Sequence, residues 1–235
     1  PETGGAKSPQ QPEPTGSDAT TIASADVPDL LVTGTVFLDL IFTGLRAAPV
    51  GGREVMTDGM GSSPGGAANL AVAASRLGVT TGLAAAFGND VYGDYCWTTL
   101  ADDEHVDLRW STRVSDWHSP VTVSLAYDDD RAMVTHAHAP PIDPDVLHAD
   151  LPAARACFAD MGVARAPWVD AMVDHGSLVF ADVGWDDTGA WDARALRARL
   201  EGCHAFVPNA AEAMAYTGTD HPGAALEVLR DWVPL

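Results

Sequence analysis

The chain has 235 residues, of which 46% are hydrophobic, a length and composition that suit one α/β core and exclude wholesale disorder. Its formal net charge of −20, with Lys7 as the single lysine, argues against nonspecific binding to nucleic acid or to an anionic membrane. No apolar run is long enough to span a bilayer and no signal peptide is visible, so we expect a cytoplasmic protein.

Three cysteines, Cys96, Cys157 and Cys203, are widely spaced, which fits neither a disulfide framework nor a metal-ligand pattern. We interpret them as reduced, small hydrophobic side chains. The His136-Ala137-His138 tripeptide has no Cys or carboxylate at a spacing that would complete a tetrahedral metal site. We therefore interpret these histidines as structural.

The N-terminal segment 1–27 contains Pro, Gly, Ser and Thr without apolar periodicity, which predicts a disordered tail before an α/β domain over 28–235. Leu30–Val32 begins an apolar strand of the kind buried on both faces of a parallel sheet. The strand is interrupted at Gly34 and followed by Asp39, whose carboxylate is placed to accept hydrogen bonds from hydroxyl groups. A surface turn is the structural alternative for Asp39.

The stretch Ser62–Gly78 predicts a loop that turns directly into an Ala-rich helix. Gly65 and Gly66 would let the backbone approach a ligand closely, and Gly78 is placed to end the helix. The free N–H groups of the first turn, with the Asn69 side chain, would suit a polyhydroxylated molecule. A tight loop before a closely packed helix is the alternative.

Two further regions predict a small β-sheet lid, at about 43–60 and 118–136. The first is Gly-rich with short extended pieces such as Arg53–Met56. In the second, Val121–Tyr127 and Arg131–Thr135 flank an Asp-rich turn and predict a β-hairpin. A plain edge of the main sheet is the alternative to a lid.

Strands and helices alternate through the rest of the chain, which predicts a mostly parallel sheet with helices on both faces. Ligands of such sheets bind beyond the carboxyl ends of the strands, where Asp182 and Asn209 are expected. The expected strands are 108–114, 156–159, 177–182 and 205–207, and the expected helices are 92–103, 167–175, 191–200, 210–216 and 223–232.

The order of these motifs resembles the N-terminal half of the ribokinase, or PfkB, family of carbohydrate kinases. The motifs are strand–Gly–x4–Asp at Gly34–Asp39, GGxxN at Gly65–Asn69 opening a helix that ends in Leu77-Gly78, and G-[ND]-D-x-[FY]-G at Gly88–Gly93. The resemblance implies a ribokinase-like α/β fold with a β-sheet lid. Because the lid of that family often serves as a dimer clasp, a homodimer through the lid is open for this chain.

The resemblance also implies a function, ATP- and Mg²⁺-dependent phosphorylation of a hydroxyl group on a small sugar or nucleoside. Substrate binding falls to four residues: Asp39, Gly65, Gly66 and Asn69. The nucleotide phosphates fall to Asp182, Asn209 and Glu212, with Glu212 reaching Mg²⁺ through water. For the Asn-x-x-Glu pair, a capping box at a helix start is the structural alternative.

The catalytic aspartate of the family lies in a Gly-Ala-Gly-Asp motif that these 235 residues do not contain. The string Asp187–Asp192 is similar only superficially, because Trp191 stands where glycine is required and the string precedes the Asn-x-x-Glu motif. We therefore expect a C-terminally truncated family member, without a catalytic residue of its own and with little turnover.

The alternative function is a non-catalytic pseudo-kinase or regulatory module that binds a sugar or nucleoside. A dinucleotide-binding oxidoreductase is disfavoured, because no G-x-G-x-x-G follows the first strand.

Overall fold

The computed structural model describes residues 27–127, 130–161, 164–186 and 188–235, so the predicted tail up to residue 26 lies outside the described residues. Strands and helices alternate along the chain. The strands are β1 (Leu30–Thr33), β2 (Val36–Leu45), β3 (Gly59–Gly66), β4 (Thr81–Ala84), β5 (Ala86–Gly88), β6 (Thr112–Val114), β7 (Val121–Tyr127), β8 (Asp130–His136), β9 (Ala156–Asp160), β10 (Leu178–Asp182) and β11 (Ala205–Phe206). The helices are α1 (Ala67–Arg76), α2 (Val91–Thr98), α3 (Pro144–Leu147), α4 (Pro167–His175), α5 (Ala193–Arg199), α6 (Ala210–Thr217) and α7 (Pro222–Leu229), and a π-helical turn, Thr99–Asp103, continues α2.

The main sheet has five parallel strands in the order β11-β10-β9-β1-β4. Neighbouring residues of β1 point to opposite faces of this sheet. Leu31 packs in a buried cluster with residues of α4 to α7, whereas Val32 packs in a second cluster with residues of α1 and α2. Helices therefore cover both faces, and the predicted mostly parallel sheet is confirmed.

A second sheet, the lid sheet, has four strands in the order β3-β2-β7-β8. Its β7–β8 hairpin lies in the predicted segment 118–136, and β2 pairs with β3 in antiparallel and with β7 in parallel orientation. The boundaries predicted for the first lid segment are wrong. The paired strands are β2 and β3, Arg53–Met56 belongs to neither, and Ser62–Gly66 is strand rather than loop because it pairs along β2.

Further expectations are refined by the structure. The strand expected at 108–114 is confined to β6, and the helix expected over 92–103 consists of α2 and the π-helical turn. Cys96, Cys157 and Cys203 are free and buried, as predicted. Among the helices of the described residues, none has the length and apolar character needed to cross a membrane.

Asp90 joins the lid sheet to the main domain. As the N-cap of α2, its carboxylate accepts a hydrogen bond from the Gly93 N–H at 2.8 Å. It also accepts hydrogen bonds from the Ser119 N–H and hydroxyl, both at 2.8 Å, two residues before β7 begins. Burial acts to raise the pKa of Asp90, but these hydrogen bonds outweigh it and hold the pKa below its usual value.

Replacing Asp90 tests this junction. We expect Asp90→Asn to lose about 1–3 kcal/mol of unfolding free energy at pH 7, because an amide nitrogen replaces one of the two carboxylate oxygens and cannot accept the hydrogen bond made there. A depressed pKa contributes stability that is present above the unfolded pKa and is lost as the pH falls through the lower folded value. The difference between wild type and variant should therefore shrink below about pH 4, the usual range of an Asp carboxyl.

Urea titrations between pH 2.5 and 7 measure this difference. The matched control is Asp103→Asn, which replaces an exposed aspartate whose carboxylate has no hydrogen bond to the described residues. A loss at Asp90 that is the same at every pH would contradict the assignment of the stabilisation to the ionised carboxylate.

Candidate functional site

Asp39 and Gly65 are in direct contact. The register of β2 and β3 pairs Phe37 with Gly65 and Asp39 with Ser63, so Phe37 and Asp39 lie on one face of the lid sheet. A Cβ atom built on Gly65 would lie 2.0 Å from Asp39 Oδ2. Only glycine leaves space for the carboxylate, so Asp39 by itself accounts for the requirement for Gly65, and the close approach of a ligand there stays a prediction.

Gly66 ends β3 and is also the N-cap of α1. Its backbone has φ +63° and ψ −130°, a conformation that favours glycine, and an added Cβ would lie 2.4 Å from the Thr35 carbonyl oxygen. No side chain caps α1, and the Ala67 N–H donates to the Thr35 carbonyl at 3.0 Å. Asn69 is exposed in the first turn of α1. The structure thus brings Asp39 to Gly65 and Gly66 at the start of the helix that carries Asn69.

The Asp39 carboxylate is half-buried, and it accepts no hydrogen bond from the residues that the structure describes. Burial raises its pKa, while the positive charge of Arg131 on β8 acts in the opposite direction. On the same face, Thr122 lies beside Asp39, and its hydroxyl is 3.0 Å from that of Thr135. Asp39 is therefore a partly desolvated acceptor in a polar row, which suits a ligand that donates hydroxyl hydrogen bonds.

A cleft of about 710 Å³ opens at the carboxyl end of β1. It is reached from the Asp39 face through Phe37, which lines the cleft and whose ring lies 2.7 Å from the position of a Cβ on Gly66. The predicted binding residues Asp39, Gly65, Gly66 and Asn69 are not among the residues that line it. Of these four residues, Gly66 adjoins the cleft through the Phe37 ring. The walls include Thr33, Gly34, Thr35, Phe37, Trp117, His148, Asp160, Arg165 and Trp168.

His148 in the cleft wall has a distinctive environment. Both imidazole nitrogens are shielded from solvent and lack a hydrogen bond of normal geometry to the described residues. The ring packs edge-on against Trp168, with 5.6 Å between ring centroids. Burial lowers the pKa of His148, while the Ala84 backbone and the negative charge of Asp145 raise it by smaller amounts. The ring is therefore neutral at pH 7. A buried imidazole without partners costs about 1–3 kcal/mol, which a ligand could recover.

Acidic residues at the ends of two neighbouring strands lie on the same edge of the main sheet as the cleft. Asp160 ends β9, lines the cleft and pairs in register with Asp182 at the end of β10. Burial raises the pKa of Asp182 to about 6, a hydrogen bond from the Val183 N–H opposes this, and the charges of Glu212 and Asp160 add to the increase. The group is therefore a region of negative potential.

Asn209 and Glu212 form the capping box that was the structural alternative for them. The Asn209 side-chain oxygen accepts from the Glu212 N–H, and Glu212 Oε2 accepts from the Asn209 N–H, both at 3.0 Å. The box uses one oxygen of each side chain, and Glu212 is only 5% exposed. Within the described ranges, no three metal-ligating side chains already lie close enough together to hold an ion.

Residues of the Asp187–Asp192 string, which is superficially similar to Gly-Ala-Gly-Asp, have structural roles before and at the start of α5. Asp187 lies outside the described residues. Asp192 caps α5 by accepting a hydrogen bond from the Ala195 N–H at 2.9 Å, and Trp191 before it has φ +42°. The Asp192 side chain therefore serves as a helix cap.

Sequence reasoning missed four residues of the cleft. Asp160 carried a usable signal, since it ends an apolar strand just as Asp182 does. Trp117 and Trp168 had no such signal in the sequence, because a loop residue and a helix residue that are distant in the chain line the same cleft only in the folded structure. His148 follows a short helix, α3, that the sequence marked only by a proline-rich stretch.

Comparisons with known proteins agree with this architecture. Residues 28–141 match the model of the pfkB family carbohydrate kinases, which confirms the resemblance seen in the motifs. The comparison with curated proteins gave no match. A similar fold occurs in Arabidopsis thaliana ribokinase complexed with ribose and ATP, with 19% identity and a TM-score of 0.65 over 88% of this chain and 70% of that chain. A PfkB protein from Polaromonas has 18% identity and a TM-score of 0.63 over 88% of this chain and 74% of that chain. A third similar fold is that of ribokinase from Cryptococcus neoformans in complex with ADP, with 19% identity and a TM-score of 0.56 over 82% of this chain and 61% of that chain.

The contact between Asp39 and Gly65 predicts the effect of adding one methyl group. We expect Gly65→Ala to lower the unfolding free energy by about 1–3 kcal/mol, because the new Cβ and the carboxylate cannot occupy the same space. Gly61→Ala is the control on the same strand and face, since a Cβ there meets nothing within 4 Å.

Chemical denaturation of these variants and of Gly65→Ala combined with Asp39→Ala measures the coupling. The double variant should recover most of the loss, because the second change removes the clashing atoms. Additive losses would contradict the proposed contact.

The raised pKa of Asp182 predicts a pH effect of opposite sign to that of Asp90. The protonated form is favoured in the folded state, so this group's contribution to stability falls as the pH rises from about 4 to about 6. Asp182→Asn should therefore gain up to about 2 kcal/mol relative to wild type across that range and stay level above it. Thermal unfolding at a series of pH values measures this, with Asp174→Asn on exposed α4 surface as the control. A flat difference would show that Asp182 is ionised throughout.

Proposed function

We propose that this chain, whose residues 28–141 match the model of the pfkB family carbohydrate kinases, binds a small sugar or nucleoside as the acceptor in ATP-dependent phosphorylation of a hydroxyl group. The observation that carries this proposal is the contact of Asp39 with Gly65, beside Gly66 and the uncapped start of α1. Asp39 would accept hydrogen bonds from acceptor hydroxyls, while N–H groups of the α1 start and Asn69 would donate to hydroxyl oxygens. Such a set of donors and acceptors matches a polyol.

The acidic edge would face the nucleotide phosphates. Asp182 and Glu212 offer hard oxygen atoms in a region of negative potential, which fits a Mg²⁺ ion bound largely through water. Asn209 would orient phosphates or metal-bound waters with the part of its side chain outside the capping box. When bound, Mg²⁺ would neutralise charge on the phosphates of ATP. The ribose, ATP and ADP named for the two ribokinase structures support this assignment.

The second candidate is a sugar- or nucleoside-binding module without catalysis, and residues 1–235 themselves contain no Gly-Ala-Gly-Asp. A phosphoryl transfer needs a base at the acceptor hydroxyl and donors for the moving charge, and the family assigns both to that motif. We expect residues 1–235 to bind the acceptor with little or no phosphate transfer. A coupled assay with ribose, fructose or adenosine measures this, and robust turnover would contradict it.

Thermal shifts separate the two candidates. A chain with a working nucleotide site should be stabilised by the acceptor and also by Mg-ATP. A module that only binds the acceptor should be stabilised by sugar or nucleoside and not by Mg-ATP.

Asp39→Ala tests the acceptor site. We expect the affinity for ribose or adenosine to fall by about tenfold or more, since a charged acceptor of hydrogen bonds contributes about 1.5–3 kcal/mol. Calorimetry of the folded variant measures this loss. Glu54→Gln removes an exposed charge from the segment between β2 and β3 and serves as the control. Unchanged affinity in Asp39→Ala would refute the role given to this carboxylate.

A further inference from the structure

The cleft beside Asp39 points to one class of acceptor. Resting on the function proposed above, we infer that the acceptor is a nucleoside, whose pentose contacts Asp39 and Gly66 and whose aromatic base occupies the cleft. The residues proposed to bind the pentose would bind a free sugar or a nucleoside equally well, and the cleft favours the nucleoside.

The size of the cleft is the first argument. Its volume of about 710 Å³ is that of a site for a ligand with several rings. A free pentose held at the margin by Asp39 and Gly66 would leave most of this space to water. A base attached to the pentose would instead bury its faces there.

The chemistry of the walls is the second argument. Trp117 is 6% exposed and is fixed in place by a hydrogen bond from its Nε1–H to the His138 carbonyl at 3.1 Å. Trp168 contributes a second indole, and Phe37 a phenyl ring, to the same cleft. Flat π surfaces of this kind stack on heterocyclic bases, whereas a free sugar has hydroxyl groups around its whole ring.

The continuity of the two parts is the third argument. Phe37 and Asp39 lie on the same face of β2, and the Phe37 ring contacts the Gly66 backbone while also lining the cleft. Hydroxyl-binding and aromatic surfaces are therefore neighbours, as one ligand with a polar and a flat half requires.

His148 supplies polar selectivity to the apolar walls. As a neutral ring it carries one donor and one acceptor nitrogen, and neither has a partner with normal geometry in the described part of the chain. A small rotation toward the cleft would let these nitrogens bond the ring nitrogens or exocyclic groups of a base. A free sugar at Asp39 would leave them unpaired.

The test compares three ligands that share a pentose. Calorimetry of residues 1–235 with adenosine, cytidine and methyl β-D-ribofuranoside isolates the contribution of the base. We expect the nucleosides to bind at least about tenfold more tightly than the methyl riboside, the gain that base–aromatic stacking typically gives. Equal affinities would overturn this inference and leave the proposed function intact. Absence of binding by all three and by ribose and fructose would overturn both.

Variants locate the base. Trp168→Leu keeps apolar volume but removes the indole face, and it should lower adenosine affinity about tenfold while leaving the methyl riboside unchanged. Trp185→Ala, which removes a 61% exposed tryptophan outside the cleft, should change neither. If Trp168→Leu weakens ADP and leaves adenosine unchanged, the cleft belongs to the nucleotide and the inference fails. The wild-type comparison decides the question if the variant does not fold.

Discussion

The contact of the Asp39 carboxylate with the bare Cα of Gly65 is the constraint on which the candidate site depends. It belongs to the register of β2 against β3, and a shift by one residue would turn Asp39 into the buried cluster in place of Val36 and Leu38 and would expose those two side chains. It also places a partly desolvated carboxylate against Gly65, one residue before the N-cap of α1, and the positive charge of Arg131 opposes the effect of burial on its pKa. The geometry therefore couples strand pairing, helix start and charge in one place.

The lid sheet and the main sheet share a core rather than merely touching. Val36 and Leu38 at the base of β2 belong to the same buried cluster as Ala68 of α1 and Cys96 of α2. The carboxylate of Asp90 ties the segment before β7 to α2 at a second point. Phe37 and Trp117, two of the aromatic residues that line the cleft, lie beside these two attachments in the sequence.

Much of this arrangement could be predicted from sequence, because it depends on local patterns. Buried strands, the helix after Gly66 and the Asn209–Glu212 helix start all have short-range signals, and each was found. The reason for Gly65 was not visible, because it depends on a side chain that only strand pairing brings near. The Ser62–Gly66 segment was mistaken for a loop because glycine, serine and proline lack strand propensity, and pairing with β2 overrides that preference.

The residues of the cleft also show what sequence patterns could not predict. Trp117 and Trp168 are far apart in the chain and belong to no periodic pattern, so their meeting is a property of the tertiary structure. Asp160 could have been found by the rule that selected Asp182. No comparable rule selects aromatic residues that lie outside strands.

Gly34 and Gly66 give the junction between the two sheets an unusual mechanical character. The chain passes from β1 to the lid through Gly34, with φ +143°, and returns from β3 directly into α1 through Gly66, with φ +63°. On this side the lid sheet has no long linker, so a tilt of the lid sheet would be taken up as torsion at two neighbouring glycines, one of which borders the proposed acceptor site. Substrate capture and lid orientation would thus share a pivot, and a bulky residue at either position would stiffen both at once.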